Sequence, residues 1–155
     1  MPLANHALVL VTDGRKTLLF RNHGDANQID LRTEAHDERV DLSDGEMKTD
    51  AAGSGSQSGG YGRPTYDETD FHKLEEDRWA KHAAEEVNKR ALAHDFEALA
   101  IIAPPKTLGE LRKQLHKEAI KRVVCEVAKE MTGHTIADIE KLLVATTRAE
   151  EPAGV

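Results

Sequence analysis

A single cysteine, Cys125, is all the thiol this 155-residue chain carries. It has no second cysteine to pair with, which excludes a disulfide-stapled scaffold and any zinc module built on cysteine pairs. Aromatic side chains are scarce at 4%, with one tryptophan, two tyrosines and three phenylalanines, a thin supply of core material for this length. Long apolar runs are missing too. The run at residues 7–11 follows no basic segment and is closed by Thr12-Asp13-Gly14, so it predicts neither a signal sequence nor a membrane span, and the expected compartment is the cytoplasm. Positive charge is also in deficit, 21 Lys and Arg against 28 Asp and Glu for a net −7, which excludes a generic nucleic-acid coat.

What the chain does contain is patterned. Residues 6–12 and 16–22 read as strands joined at Asp13-Gly14, a pair that supplies the positive φ of tight hairpin turns. Residues 26–36 alternate more loosely and predict a third strand. From residue 24 to residue 50 there are nine acidic side chains and three basic ones, the mark of a solvated segment. Residues 45–64 then hold more than half of the eleven glycines in the context GSGSQSGGYGRP, which predicts a flexible loop.

Residues 69–95 place Phe71, Leu74, Ala80, Ala83, Ala84, Val87 and Ala91 at three- and four-residue spacing between charged positions, the pattern of a long amphipathic helix. ALAIIA at residues 98–103 reads as a central strand buried on both faces and closed by Pro104-Pro105. Thr107 and Glu110 form a capping-box signature that starts a second helix at Leu108, with Leu111 and Leu115 inward. Residues 120–127 predict a further strand. Thr135 to Asp138 repeats the capping signal in weaker form before a last helix carrying Ile136, Ile139, Leu142 and Leu143. The order βββ-loop-αβαβα implies an α/β fold with a mixed five-stranded sheet and flanking helices, organised as one domain over residues 1–147 with a disordered tail at 148–155.

Candidate chemistry is sparse. Eight histidines are scattered with no metal-ligand spacing, so no metal is expected. Residues 53–58, GSGSQS, fall short of a dinucleotide fingerprint, and no small-molecule cofactor is expected. Cys125, in an apolar alternating run, reads as a small hydrophobe, and Asp13 as a turn residue. One feature stands out: residues 106–122 carry six basic and two acidic side chains in an acidic chain. Such a helix can face RNA phosphate, with Lys113, Lys117 and Arg122 as the contacts, or be an ordinary solvated face with cations toward its C-terminal end.

The hairpin VTDGRKTLLF, the stretch AAEEVNKRALAHDFEALAIIAPPKTLGELRKQL and the ending KEMTGHTIADIEKLL resemble the bacterial host attachment proteins over nearly the whole chain. That family is similar in turn to the middle domain of eukaryotic and archaeal class I peptide release factors and of Pelota. The resemblance implies a ribonuclease-H-like arrangement and a loop after the third strand bearing a Gly-Gly-Gln tip that promotes hydrolysis of peptidyl-tRNA. Here the corresponding positions are Gly55, Ser56, Gln57 and Ser58, so Gln57 is the residue that would take the catalytic role, with serine replacing the second glycine. Three functions follow: a non-catalytic RNA- or ribosome-associated module using Lys113, Lys117, Arg122 and the Gln57 loop; peptidyl-tRNA ester hydrolysis in ribosome rescue; and an adhesion-related interaction protein. The partners implied are the ribosome, ribosomal RNA or tRNA, and not a membrane.

Overall fold

A computed structural model describes residues 3–38 and 65–149 of the chain. The elements run β1 (Leu8–Thr12), β2 (Lys16–Asn22), β3 (Leu31–Glu38), α1 (Thr65–Leu92), β4 (Leu99–Ala103), α2 (Pro105–Gln114), α3 (Lys117–Ile120), β5 (Val123–Ala128) and α4 (Ile136–Ala149). They form one five-stranded mixed sheet in the order β3-β2-β1-β4-β5. β1 pairs antiparallel with β2 and parallel with β4, while β2 pairs antiparallel with β3 and β4 pairs parallel with β5.

β1 and β4 occupy the centre because their residues are apolar at every position but one, and a strand covered on both faces tolerates no charge. Side chains alternate between the two faces. Leu8, Leu10, Leu99 and Ile101 point to one face, where they meet Ala80, Ala83, Ala84, Val87 and Ala91 of α1 and Leu108 and Leu111 of α2. Val9, Val11, Ala100 and Ile102 point to the other, where Ile139 and Leu143 of α4 cover them. Cys125 is buried on this second face beside Val127 and Met131.

Several boundaries differ from expectation for identifiable reasons. The third strand starts at Leu31 rather than at 26, because side chains staple the preceding turn. Asp25 Oδ1 accepts from the amides of Asn27 and Gln28 at 2.9 and 2.8 Å, and Asn22 Oδ1 accepts from those of Gly24 and Asp30 at 2.9 and 3.0 Å. α1 ends at Leu92 with His94 in the left-handed region at φ 57, where the Asp95 amide donates to the Arg90 carbonyl and the His94 amide to the Ala91 carbonyl. Leu74, expected on the apolar stripe of this helix, is 56% exposed.

The Thr107 capping box does not form. Pro104 occupies the N-cap with no side-chain bond and Pro105 follows at the first helical position, so α2 begins at Pro105, with Thr107 already inside its first turn. The basic segment is also broken: α2 stops at Gln114, and the separate turn α3 is capped by His116, whose Nδ1 accepts from the Glu118 amide at 3.0 Å. Ile120, expected in the last strand, ends that turn and is 49% exposed. The weaker signal at Thr135 is realised, with Oγ1 accepting from the Asp138 amide at 3.1 Å.

Candidate nucleic-acid interface

The inward residues of α2 and α3 are Leu108, Leu111, Leu115 and Ala119, recurring at three- and four-residue spacing. That spacing places Lys106, Glu110 and Lys113 on one outward face of α2, while Lys117 opens the separate turn α3. Lys106, Lys113 and Lys117 are exposed, and Lys113 makes only a long 3.7 Å pair with Glu110, three-quarters of its side chain remaining open to solvent. Pairs of this kind are weak and leave the ammonium group available.

The other cations of the segment are engaged. Arg112 Nε donates to Glu126 Oε1 on β5 at 2.9 Å. Lys121 Nζ lies 2.7 Å from Glu118 Oε2, and the ammonium and the neighbouring Arg122 guanidinium hold the Glu118 carboxyl below its ordinary range. Arg122 itself is turned inward. Its Nε donates to the Phe96 carbonyl at 3.1 Å, Nη1 to the Glu118 carbonyl at 2.6 Å, and Nη2 lies 3.3 Å from His94 Nδ1. Of the three cations singled out from the sequence, Lys113 on α2 and Lys117 on α3 are therefore exposed, while Arg122 braces α3 against the end of α1. Lys106, which the sequence did not separate from its neighbours, joins Lys113 on the outward face of α2 because the helix starts early enough to include it.

Gly55, Ser56, Gln57 and Ser58 lie outside the described residues. The elements on either side of residues 39–64, β3 and α1, are tied together by charge. Arg21 on β2, with a side chain 9% exposed, forks onto Glu34 of β3 through Nε at 3.2 Å and Nη2 at 2.9 Å, and onto Asp95 through Nη2 at 2.7 Å. Its Nη1 donates to the His6 and Asp95 carbonyls at 3.2 and 2.8 Å, so Nε and both Nη nitrogens find acceptors. Arg90 of α1 adds Nη1 contacts to Glu34 at 2.8 Å and Asp95 at 3.2 Å. Hydrogen bonding from Arg21 pulls the carboxyls of Glu34 and Asp95 below their ordinary range.

Asp13 is a turn residue: Oδ1 accepts from the amides of Arg15 and Lys16 at 2.7 and 2.8 Å, and Oδ2 accepts from Thr132 Oγ1 at 2.6 Å. Gly14 is not at positive φ. A Cβ there would stand 2.5 Å from Cγ of the exposed Glu76 on α1, whose side chain would have to shift. Among the described residues no group of three or more His, Cys, Asp or Glu is placed to hold a metal, and no helix is long and apolar enough to cross a membrane.

A mixed sheet in the order β3-β2-β1-β4-β5, with helices α1 and α2 in its crossovers, is consistent with a release-factor-like α/β domain. Residues 6–143 match the family described as Bacterial archaeo-eukaryotic release factor family 12. The match takes in all five strands and most of the last helix, and the chain belongs to that family. Its description names release factors and does not name attachment to host cells. A search of curated proteins found no match.

Proposed function

We propose that this chain is a non-catalytic, ribosome-associated module that holds RNA phosphate against α2 and α3. The observation that carries the reading is the exposure of Lys106 and Lys113 on α2 and of Lys117 on α3, on a domain of a release-factor family. Three exposed ammonium groups on neighbouring segments neutralise phosphates and release their counterions, and the overall charge of −7 keeps the remainder of the surface from binding nucleic acid indiscriminately. Arg122 contributes by fixing α3 rather than by touching the backbone. Co-sedimentation with ribosomes, compared between the parent chain and a variant with Lys106, Lys113 and Lys117 reversed to glutamate, tests the reading.

A second reading, peptidyl-tRNA ester hydrolysis, is favoured by the place of Gln57 between β3 and α1 in a chain of this family. In it the Gln57 amide orients the attacking water. Peptide release from stalled ribosomes that falls at least tenfold in Gln57→Ala supports it, and equal release by parent and variant contradicts it.

A further inference from the structure

Lys89 lies on α1, outside the basic segment, yet the fold brings it to the same place. The bridge is Asn88, whose Nδ2 donates to the Gln114 carbonyl at 3.0 Å and whose Oδ1 accepts from the His116 amide at 2.7 Å. One side chain thus closes the break between α2 and α3 against the last turns of α1. Lys89, Lys113 and Lys117 are the chain neighbours of those three residues, so the junction gathers one lysine from each helix.

All three point out of the fold. Each stands two residues before a buried side chain of one core cluster, Ala91, Leu115 and Ala119, which is about 200° around a helix, and each is exposed. Lys89 and Lys117 form no ion pair among the described residues, and Lys113 has only its 3.7 Å contact with Glu110. The neighbouring Glu118 carboxylate is taken by Lys121 at 2.7 Å and Arg122 Nη1 at 3.2 Å, and Glu85, a turn back on α1, forms no ion pair with Lys89. Like charges gathered with so little compensation repel one another, and a polyanion relieves that repulsion.

The junction offers no Phe, Tyr or Trp ring among the described side chains. Phe20 and Phe96 are buried, and Trp79 is ten residues back along α1, about 15 Å by the helix rise. Proteins that hold single strands stack bases on such rings, whereas duplex RNA is held largely through its backbone. Lysines on helices packed side by side also stand in two rows, with axes about 8–10 Å apart, and a duplex offers two backbone strands already fixed in place. We infer that Lys89, Lys113 and Lys117 form a contact surface for the phosphate backbone of double-helical RNA. The inference rests on the reading of the chain as an RNA-associated module, and it adds the form of the RNA and a contact on α1.

Fluorescence anisotropy of two labelled probes, a twelve-base-pair RNA hairpin and an oligouridine with the same number of nucleotides, measures binding by the full chain and by Lys89→Gln and Lys81→Gln. Lys81 is an exposed lysine on the same helix, about 12 Å before Lys89, and serves as the control for charge alone. The hairpin should bind at least fivefold more tightly than oligouridine at equal salt. Lys89→Gln should weaken hairpin binding at least threefold and lower the salt slope by about 0.7–0.9, the share of one phosphate contact, while Lys81→Gln changes affinity less than twofold. Equal or tighter binding of oligouridine overturns the duplex assignment. Unchanged affinity in Lys89→Gln, or a loss matched by Lys81→Gln, overturns the place of α1 in the surface, and no binding of the hairpin by the parent overturns the inference as a whole. Because these titrations contain no ribosomes, their failure leaves ribosome association standing, and a parent chain that binds the hairpin without pelleting with ribosomes contradicts the ribosome reading alone.

Discussion

Arg21 and Asp95, 74 residues apart in the chain, meet twice: Arg21 Nη2 donates to the Asp95 carboxylate at 2.7 Å and Nη1 to its backbone carbonyl at 2.8 Å. Through this contact the sheet grips the end of α1, and through Glu34 the same guanidinium grips β3. The two elements flanking residues 39–64 are thus linked through Arg21 and, directly, by Arg90 of α1 on Glu34 of β3 at 2.8 Å.

Replacing Arg21 with methionine removes that grip and leaves two carboxylates facing each other with only Arg90 between them. Breaking a fully buried pair costs about 3–5 kcal/mol, but Glu34 and Asp95 keep 30% and 40% of their side-chain exposure, so the expected loss is about 2–3 kcal/mol. Urea unfolding at pH 7 measures it; a loss under about 1 kcal/mol contradicts the account.

Acid should act on the same cluster. Glu34 and Asp95 have lower pKa values in the folded chain than the unfolded values of about 4.3 and 3.9, so on acidification the unfolded chain takes up their protons first. The stabilisation is complete above about pH 5 and is lost as pH falls through the unfolded values toward the folded ones. Urea midpoints at pH 7, 5, 4 and 3 should decline steeply below pH 5 in the parent and less steeply in Arg21→Met.

The hairpin turn and the approach to α4 are joined by Thr132 Oγ1 and Asp13 Oδ2 at 2.6 Å. A bond to a charged acceptor at a site where Thr132 is 5% exposed should contribute about 1.5–3 kcal/mol. A double-mutant cycle of Asp13→Ala and Thr132→Val is expected to show coupling of that order, and additive effects would contradict it.

His94 holds a left-handed conformation at φ 57, just past the end of α1. Glycine adopts that region without the penalty of about 1–2 kcal/mol that a side chain bears there, partly offset by its greater freedom in the unfolded chain. His94→Gly should therefore raise stability by about 0.5–1 kcal/mol, read as a higher thermal midpoint; a fall would mean that the His94 contact with Arg122 outweighs the strain.

The strands were legible because apolar alternation is local: β2 runs over the expected residues 16–22, and the two-faced burial of β4 follows from five consecutive apolar side chains. Helix starts were legible only where one signal acted alone. At Thr135 nothing competes with the hydroxyl cap, whereas at Thr107 two prolines had already set the helical φ before the capping box was reached. The basic segment was visible as charge, but not which cations stay in solvent. Arg122 is withdrawn by acceptors on Phe96 and His94, which the fold alone brings near. The Arg21 cluster and the junction at Asn88 assemble from separate elements, and no spacing in the sequence reports them.

The most direct measurement is ribosome co-sedimentation at increasing salt. The parent chain should pellet with ribosomes at low salt and lose affinity with a log–log slope set by its phosphate contacts, about 0.7–0.9 per contact. Reversing Lys106, Lys113 and Lys117 to glutamate should abolish pelleting at physiological salt, while Arg112→Glu, on a cation already paired with Glu126, has a much smaller effect. Pelleting of the triple variant equal to that of the parent, with the same salt slope, would contradict the central claim.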